Sequence, residues 1–199
     1  MNIIGDSHIH IYKNWLPAKL YHMEHATAWG LLNENNKSGS HAKIKDLLTK
    51  LDVRNTIVFM FGEIDCRYLI WIKSIETNKE LIEVIDETVS RYMKFLISIK
   101  FLDDRLDLIV HGVPPAGWHS DKNYADRLIR AKITQAFNIR LKIACKEVEI
   151  DFFDTEVYFK HLADEDGLLL KKNSSDEVHI DADKVNVSEI FIQFFEGQI

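Results

Sequence analysis

The sequence predicts an α/β protein in which helices cover both faces of an open, mostly parallel sheet. Two observations carry that expectation. Short apolar runs without hydrophobic alternation suit strands buried on both faces, and segments with apolar residues at three- and four-residue steps lie between them. Strands alternating with helices imply right-handed crossovers, and in such sheets a ligand site lies beyond the carboxyl ends of the strands.

Taken in order, Ile3-Ile4 before Gly5-Asp6 reads as a first strand, and Asn55 to Phe61 as an inner one. Leu106 to Val113, stopped by Pro114-Pro115, and Glu149 to Phe153 give two more. Leu81, Ile85, Val89, Tyr92, Leu96 and Ile99 mark one helix face; Ile129, Ile133, Phe137, Leu141 and Ala144 mark a second. Val187, Ile190, Phe191, Phe194 and Phe195 have helix spacing with Gly197 as a stop. Between Tyr12 and Lys50 the pattern gives a short strand at Lys19 to Met23, the start of a helix at Thr27 to Leu32, a polar loop at Asn33 to Ser40 and a helix at Ala42 to Leu51.

A chain of 199 residues, 46% apolar, is enough for one domain with its own core, so a single domain over 1–199 is expected. Acidic residues outnumber basic ones, 31 to 25, and the basic ones are dispersed, which argues against nucleic acid as a partner. No apolar leader and no run of eighteen apolar residues is present, so the expectation is a cytoplasmic protein without a membrane span. Cys66 and Cys145 read as free thiols, because a core of this size needs no disulfide framework.

Three polar blocks follow predicted strands or lie near the C-terminus: Gly5-Asp6-Ser7-His8, Phe61-Gly62-Glu63-Ile64-Asp65-Cys66-Arg67 and Asp176-Glu177-Val178-His179. In order and placement they resemble the blocks of the SGNH, or GDSL-like, hydrolases. The resemblance spans nearly the whole chain and implies a three-layer α/β/α sandwich with a flavodoxin-like sheet. It implies Ser7 as nucleophile with Asp176 and His179 as its partners, ester hydrolysis on small O-acyl groups, and a small-molecule or glycan ester as substrate. No cofactor and no metal are implied. The chemistry favours the same grouping, since a serine hydroxyl needs an imidazole to take its proton and a carboxylate to fix that imidazole's tautomer.

The sequence departs from the family pattern at two places. The third block of the family usually reads Gly-x-Asn-Asp, with the Asn donating to the oxyanion; here Ile64 stands in that place and has no donor. The glycine amide of the second block has its nearest counterpart around His25 and Ala26, with Gly30 as another candidate. Oxyanion or substrate contacts are therefore expected from the Ser7, His25 and Ala26 amides and from Gly62, Glu63, Asp65 and Arg67. In that loop an acidic pair beside a guanidinium either stiffens the loop or meets polar substrate groups.

Rival readings exist. Asp6, His8 and His10 spell Asp-x-His-x-His, which on a strand would aim two imidazoles at one metal, with His111 and His119 as scattered further ligands. Ile64 supports a binding domain that has lost catalysis. Cys66 beside Asp65 invites a thiol nucleophile, although a cysteine by a strand end more often packs. Trp118, in the loop after Pro114-Pro115, has the strongest case among the aromatics, which include Trp15, Trp29, Trp71, Tyr12 and Tyr124, for stacking on a sugar ring.

Overall fold

The computed structural model describes residues 1–52, 56–103, 105–119 and 125–196. Its sheet has five strands, β1 (Asn2–Gly5), β2 (Lys19–His22), β3 (Ile57–Met60), β4 (Leu108–His111) and β5 (Asp151–Phe153). Their order is β2-β1-β3-β4-β5, and every neighbouring pair is parallel.

The strands alternate two apolar faces rather than one apolar and one polar face. In β3, Ile57 and Phe59 enter one buried cluster while Val58 and Met60 enter the other, and Ile4 and Ile3 divide in the same way. Such a strand requires cover on both sides. The first side is covered by α1 (Ser40–Leu48), α3 (Leu81–Lys100) and α4 (Arg127–Glu147), through residues such as Ile44, Phe95, Leu96, Phe137 and Leu141. The second is covered by a 3₁₀ helix over Ser7–Tyr12, by the chain beyond α5 (Thr155–Tyr158) and by α6 (Val187–Glu196). The outcome is a three-layer α/β/α sandwich with a flavodoxin-like strand order.

The starts of α3 and α4 follow from local chemistry. Glu80 and Glu83 form a reciprocal capping box at α3, and the Asp126 carboxylate accepts the Leu128 amide at 2.9 Å to open α4. α2 (Ile70–Thr77) continues a π-helical turn over Asp65–Leu69. Among the described residues no helix is long and apolar enough to cross a membrane.

Several expectations are corrected. Thr27 to Leu32 is a set of turns, not a helix, because Asp65 takes the Ala28 and Trp29 amides and Thr27 takes the Gly30 amide. Glu63 to Arg67 is helical rather than a loop. Gly62, at φ 121, turns the chain out of β3, and a side chain there would collide with Phe137 and Val113. The fourth predicted strand loses its first two residues, because Glu149 is left-handed at φ 54. Two expected ends, Asn55 and Gly197, lie outside the described residues, as does Tyr124.

On the α6 side the core is aromatic. Phe191 lies 4.9 Å from Phe153 and 5.4 Å from Tyr12, ring centre to ring centre, and is fully buried. The Tyr12 hydroxyl meets His111 Nε2 at 2.8 Å, and His111 Nδ1 meets the Gly112 carbonyl. A carbonyl can only accept, so Nδ1 carries the proton and Nε2 accepts from tyrosine. Burial first pushes His111 down, to about 4, which keeps this ring neutral. Phe191→Ala is expected to cost about 3–5 kcal/mol in urea unfolding, the range for emptying an aromatic site in a packed core. A midpoint unchanged from wild type would show that α6 does not brace the sheet.

Candidate active site

The strand order reverses between β1 and β3, so the loops after these two strands diverge and leave a crevice. After β1 the Asp6 amide donates to the Met60 carbonyl, and the buried Asp6 carboxylate accepts the His8 amide at 3.0 Å. This Asp cap starts the 3₁₀ helix, with Ser7 as its first residue at the mouth of the crevice.

Ser7 Oγ lies 2.9 Å from His179 Nε2, and His179 Nδ1 lies 2.8 Å from Asp176 Oδ2. The carboxylate accepts from Nδ1–H, which leaves Nε2 as an acceptor for the serine O–H. The other Asp176 oxygen accepts the Val178 and His179 amides, both at 2.7 Å. Partial burial alone would raise the Asp176 carboxyl; those two amides and the His179 ring overcome it and hold the group at about 2. One tight turn therefore fixes both side chains.

That turn is held from outside as well. The His119 amide donates to the Glu177 carbonyl at 3.1 Å, and the His119 ring contacts the Glu177 carboxylate. Gly117 allows the approach: a Cβ there would stand 2.3 Å from the Glu177 carbonyl oxygen.

The third block lies deeper. Asp65 is fully buried, and its carboxylate accepts the Ala28 amide at 2.7 Å and the Trp29 amide at 3.0 Å. Burial lifts its carboxyl to about 7 against the pull of those amides, with Asp6 adding to the rise. Glu63 is nearly buried and pairs with Arg67 Nε at 2.9 Å, so both serve an internal ion pair. Ile64 is half-buried and has no donor. The Ala26 amide donates to the Met23 carbonyl and Ala26 is fully buried, which removes it as an oxyanion donor. His25 is exposed in the left-handed region at φ 56, in the loop that follows β2 beside β1. Gly62 is buried, and its carbonyl accepts the Cys66 amide.

A cleft of ≈ 260 Å³ opens beside Ser7 and His179. Ile11, Ile180 and Ala182 give it apolar walls, with His10, Lys13 and Asp181 also lining it. Burial, then His22, His179 and Lys13, lower the His10 pKa. Apart from His10, none of these lining residues stands out in the sequence; the available signal is their closeness to Ser7 and to His179 along the chain.

The rival readings fare differently. His8 and His10 are not on a strand: the 3₁₀ helix buries His8 and leaves His10 exposed, so the two imidazoles do not share a face. His111 is committed to Tyr12 and Gly112. Cys66 and Cys145 are free and buried, and burial pushes the Cys66 thiol well above its usual range, away from a reactive thiolate. Trp118 is half-buried, with Lys171 Nζ 4.4 Å from its ring centre.

No protein-family model matches the sequence, and no curated protein matches it. Solved structures do. A GDSL-like lipase from Bacteroides thetaiotaomicron superposes with a TM-score of 0.61 at 16% identity, covering 100% of this chain and 88% of that one. A carbohydrate acetylesterase from Sinorhizobium meliloti gives 0.59 at 9% identity, with 100% and 99% covered. A member of the lipolytic G-D-S-L family from Veillonella parvula gives 0.57 at 13%, with 98% and 97% covered. The chain has the SGNH, or GDSL-like, hydrolase fold.

Asp65→Asn tests how the third block supports the rest. An amide retains one acceptor but turns an NH₂ group toward the second backbone N–H, so a loss of about 1–3 kcal/mol is expected. Faster hydrogen exchange at Ala28 and Trp29 should accompany it. Because the folded carboxyl is raised from 3.8 to about 7, its contribution is fullest below pH 3.8 and declines as pH rises through about 7. The stability gap between wild type and variant should therefore narrow over that interval, as measured by urea titrations at several pH values.

Proposed function

We propose that the protein is a serine ester hydrolase, with Ser7 as nucleophile, His179 as general base and Asp176 as the carboxylate that orients it. The observation that carries this reading is the unbroken relay from Ser7 Oγ through His179 to Asp176, at 2.9 and 2.8 Å. His179 Nε2 takes the serine proton as Oγ attacks the ester carbonyl, then returns it to the departing alkoxide. The acyl group stays on Ser7. Water, deprotonated by the same imidazole, then releases the acid and restores the serine.

The oxyanion would be met by the Ser7 amide and the left-handed His25 turn. With Ile64 in place of a side-chain donor, a rate penalty on the order of 10²–10³ against a fully equipped site is expected. A small O-acyl group fits between the apolar walls of the cleft, with the alcohol portion toward the polar rim. The acetylesterase among the structural relatives acts on carbohydrate, and an acylated carbohydrate is the substrate class we favour here. A second reading, a binding domain without turnover, is supported by Ile64 alone.

A fluorophosphonate probe and a short-chain aryl ester provide the test. Wild type should be labelled and active, and Ser7→Ala and His179→Ala should lose about 10³-fold or more in rate. Labelling absent from a folded wild type would favour the binding domain. Since Asp176 is held at about 2, it stays ionised well below neutrality, and loss of activity toward acid should not follow its titration. Asp176→Asn should lower kcat at every pH without removing the acid limb of the profile.

A further inference from the structure

The cleft beside Ser7 runs between two walls that are tied together at both ends. One wall is the 3₁₀ helix that begins with Ser7, and the other is the chain that leaves His179. At the inner end the walls meet through Ser7 and His179. They meet again further along, beside Ala182, which lines the cleft. Lys13 Nζ donates to Asp183 Oδ2 at 2.8 Å, and the Asn14 side-chain amide donates to Asp183 Oδ1 at 2.8 Å and to the Ala182 carbonyl at 3.2 Å. Both oxygens of one carboxylate are thereby engaged by the opposite wall.

The walls and the outer tie differ in firmness. Ile11 and Ile180 are each 4% exposed and belong to the same apolar cluster, so the sides of the cleft are fixed. The Asp181 carboxylate accepts the Asp183 amide at 3.0 Å and pairs with Lys184, while the Asp181 carbonyl accepts the Lys184 and Val185 amides. This compact turn presents Asp183 to the helix. Lys13, Asn14 and Asp183 themselves are exposed. An exposed ion pair of this kind adds little to stability, so its effect lies in what it spans.

We propose that Lys13, Asn14 and Asp183 form a cross-cleft clamp that sets the length of acyl group the site accepts: the apolar walls receive the chain, and the clamp closes the end opposite Ser7. The inference rests on the reading of Ser7 as nucleophile and of this cleft as the acyl pocket. From Ser7 to Lys13 a 3₁₀ helix advances about 12 Å. An acetyl group ends well short of that distance, whereas an octanoyl chain extends to it. A long chain must fold back or part the clamp, and its methylenes cannot replace the hydrogen bonds they displace. Water takes over the released groups because all three side chains are exposed, so the discrimination is about ten-fold rather than absolute.

The test gives wild type, Asp183→Ala and Asn14→Ala two series of esters, one with a constant aryl alcohol and acyl chains from acetyl to octanoyl, the other with a constant acetyl group and alcohols of increasing length. Far-UV dichroism confirms folding. The readout is the ratio of kcat/KM for the octanoyl ester to that for the acetyl ester, in which any loss common to all substrates cancels. Wild type should favour acetyl. Asp183→Ala, which removes the acceptor of both Lys13 and Asn14, should raise the ratio by about ten-fold. Asn14→Ala keeps the ion pair and should raise it by less. Added salt should raise the wild-type ratio toward that of Asp183→Ala, since salt screens the Lys13–Asp183 pair and finds none in the variant. Where Asp183→Ala fails to fold, Asn14→Ala and the salt response of wild type decide. A wild type indifferent to acyl length, or a folded Asp183→Ala with the wild-type acyl profile, overturns the proposal. So does a change confined to the alcohol series, which would make the cleft the alcohol side. A wild type that neither takes a fluorophosphonate label nor turns over any ester would instead defeat the serine hydrolase reading itself.

Discussion

All five strands run in one direction, and that constraint orders everything else in the molecule. Parallel strands place all their carboxyl ends on one rim, so each polar block that follows a strand is delivered to the same side. The block after β1 and the block after β3 meet because those strands are hydrogen-bonded neighbours, in register from Asn2 with Ile57 to Gly5 with Met60. Their meeting concentrates Asp6, His8, Glu63 and Asp65 in a buried space, where each needs a partner. Asp6 finds the His8 amide, Asp65 the Ala28 and Trp29 amides, and Glu63 the Arg67 guanidinium. The polar interior is thus a by-product of sheet topology that has been turned into scaffolding.

Much of this was legible in the sequence, for identifiable reasons. The long helices announced themselves because their apolar residues recur over five turns, and β3 because a run such as Ile-Val-Phe-Met suits a strand covered on both faces. The Ser7, Asp176 and His179 positions were readable from short polar strings whose order along the chain carries the information. Less legible was anything decided by a distant partner. Thr27 to Leu32 has an acceptable helical composition, yet a carboxylate 36 and 37 residues away dictates turns. Asp6 to His10 alternates like a strand, yet the side chain of Asp6 caps its own backbone and winds the segment into a 3₁₀ helix.

The same distinction applies to the chemistry. In sequence, Asp65 and Glu63 fit either a stiffened loop or polar contacts to substrate. Burial gives them different work: one holds a loop, and the other belongs to an ion pair beside His8. His25 and Ala26 are adjacent in sequence, but only the first keeps an exposed, left-handed backbone, while the second has its amide engaged by Met23. No local string distinguishes these neighbours, since what separates them is the direction of one N–H bond.

The relay joins residues 172 positions apart, and this separation bears on the order of events in folding. The last strand of the sheet ends at Phe153, so every strand is synthesised before the Asp176 turn. Closing so long a loop is entropically slow, and the turn adds no strand that would draw it in by backbone pairing. It docks against Gly117 and His119, which precede it in the chain. The nascent chain would therefore carry Ser7, the sheet strands and the Asp6 cap before it carries His179, and closure of the relay would mark the completion of folding rather than its onset.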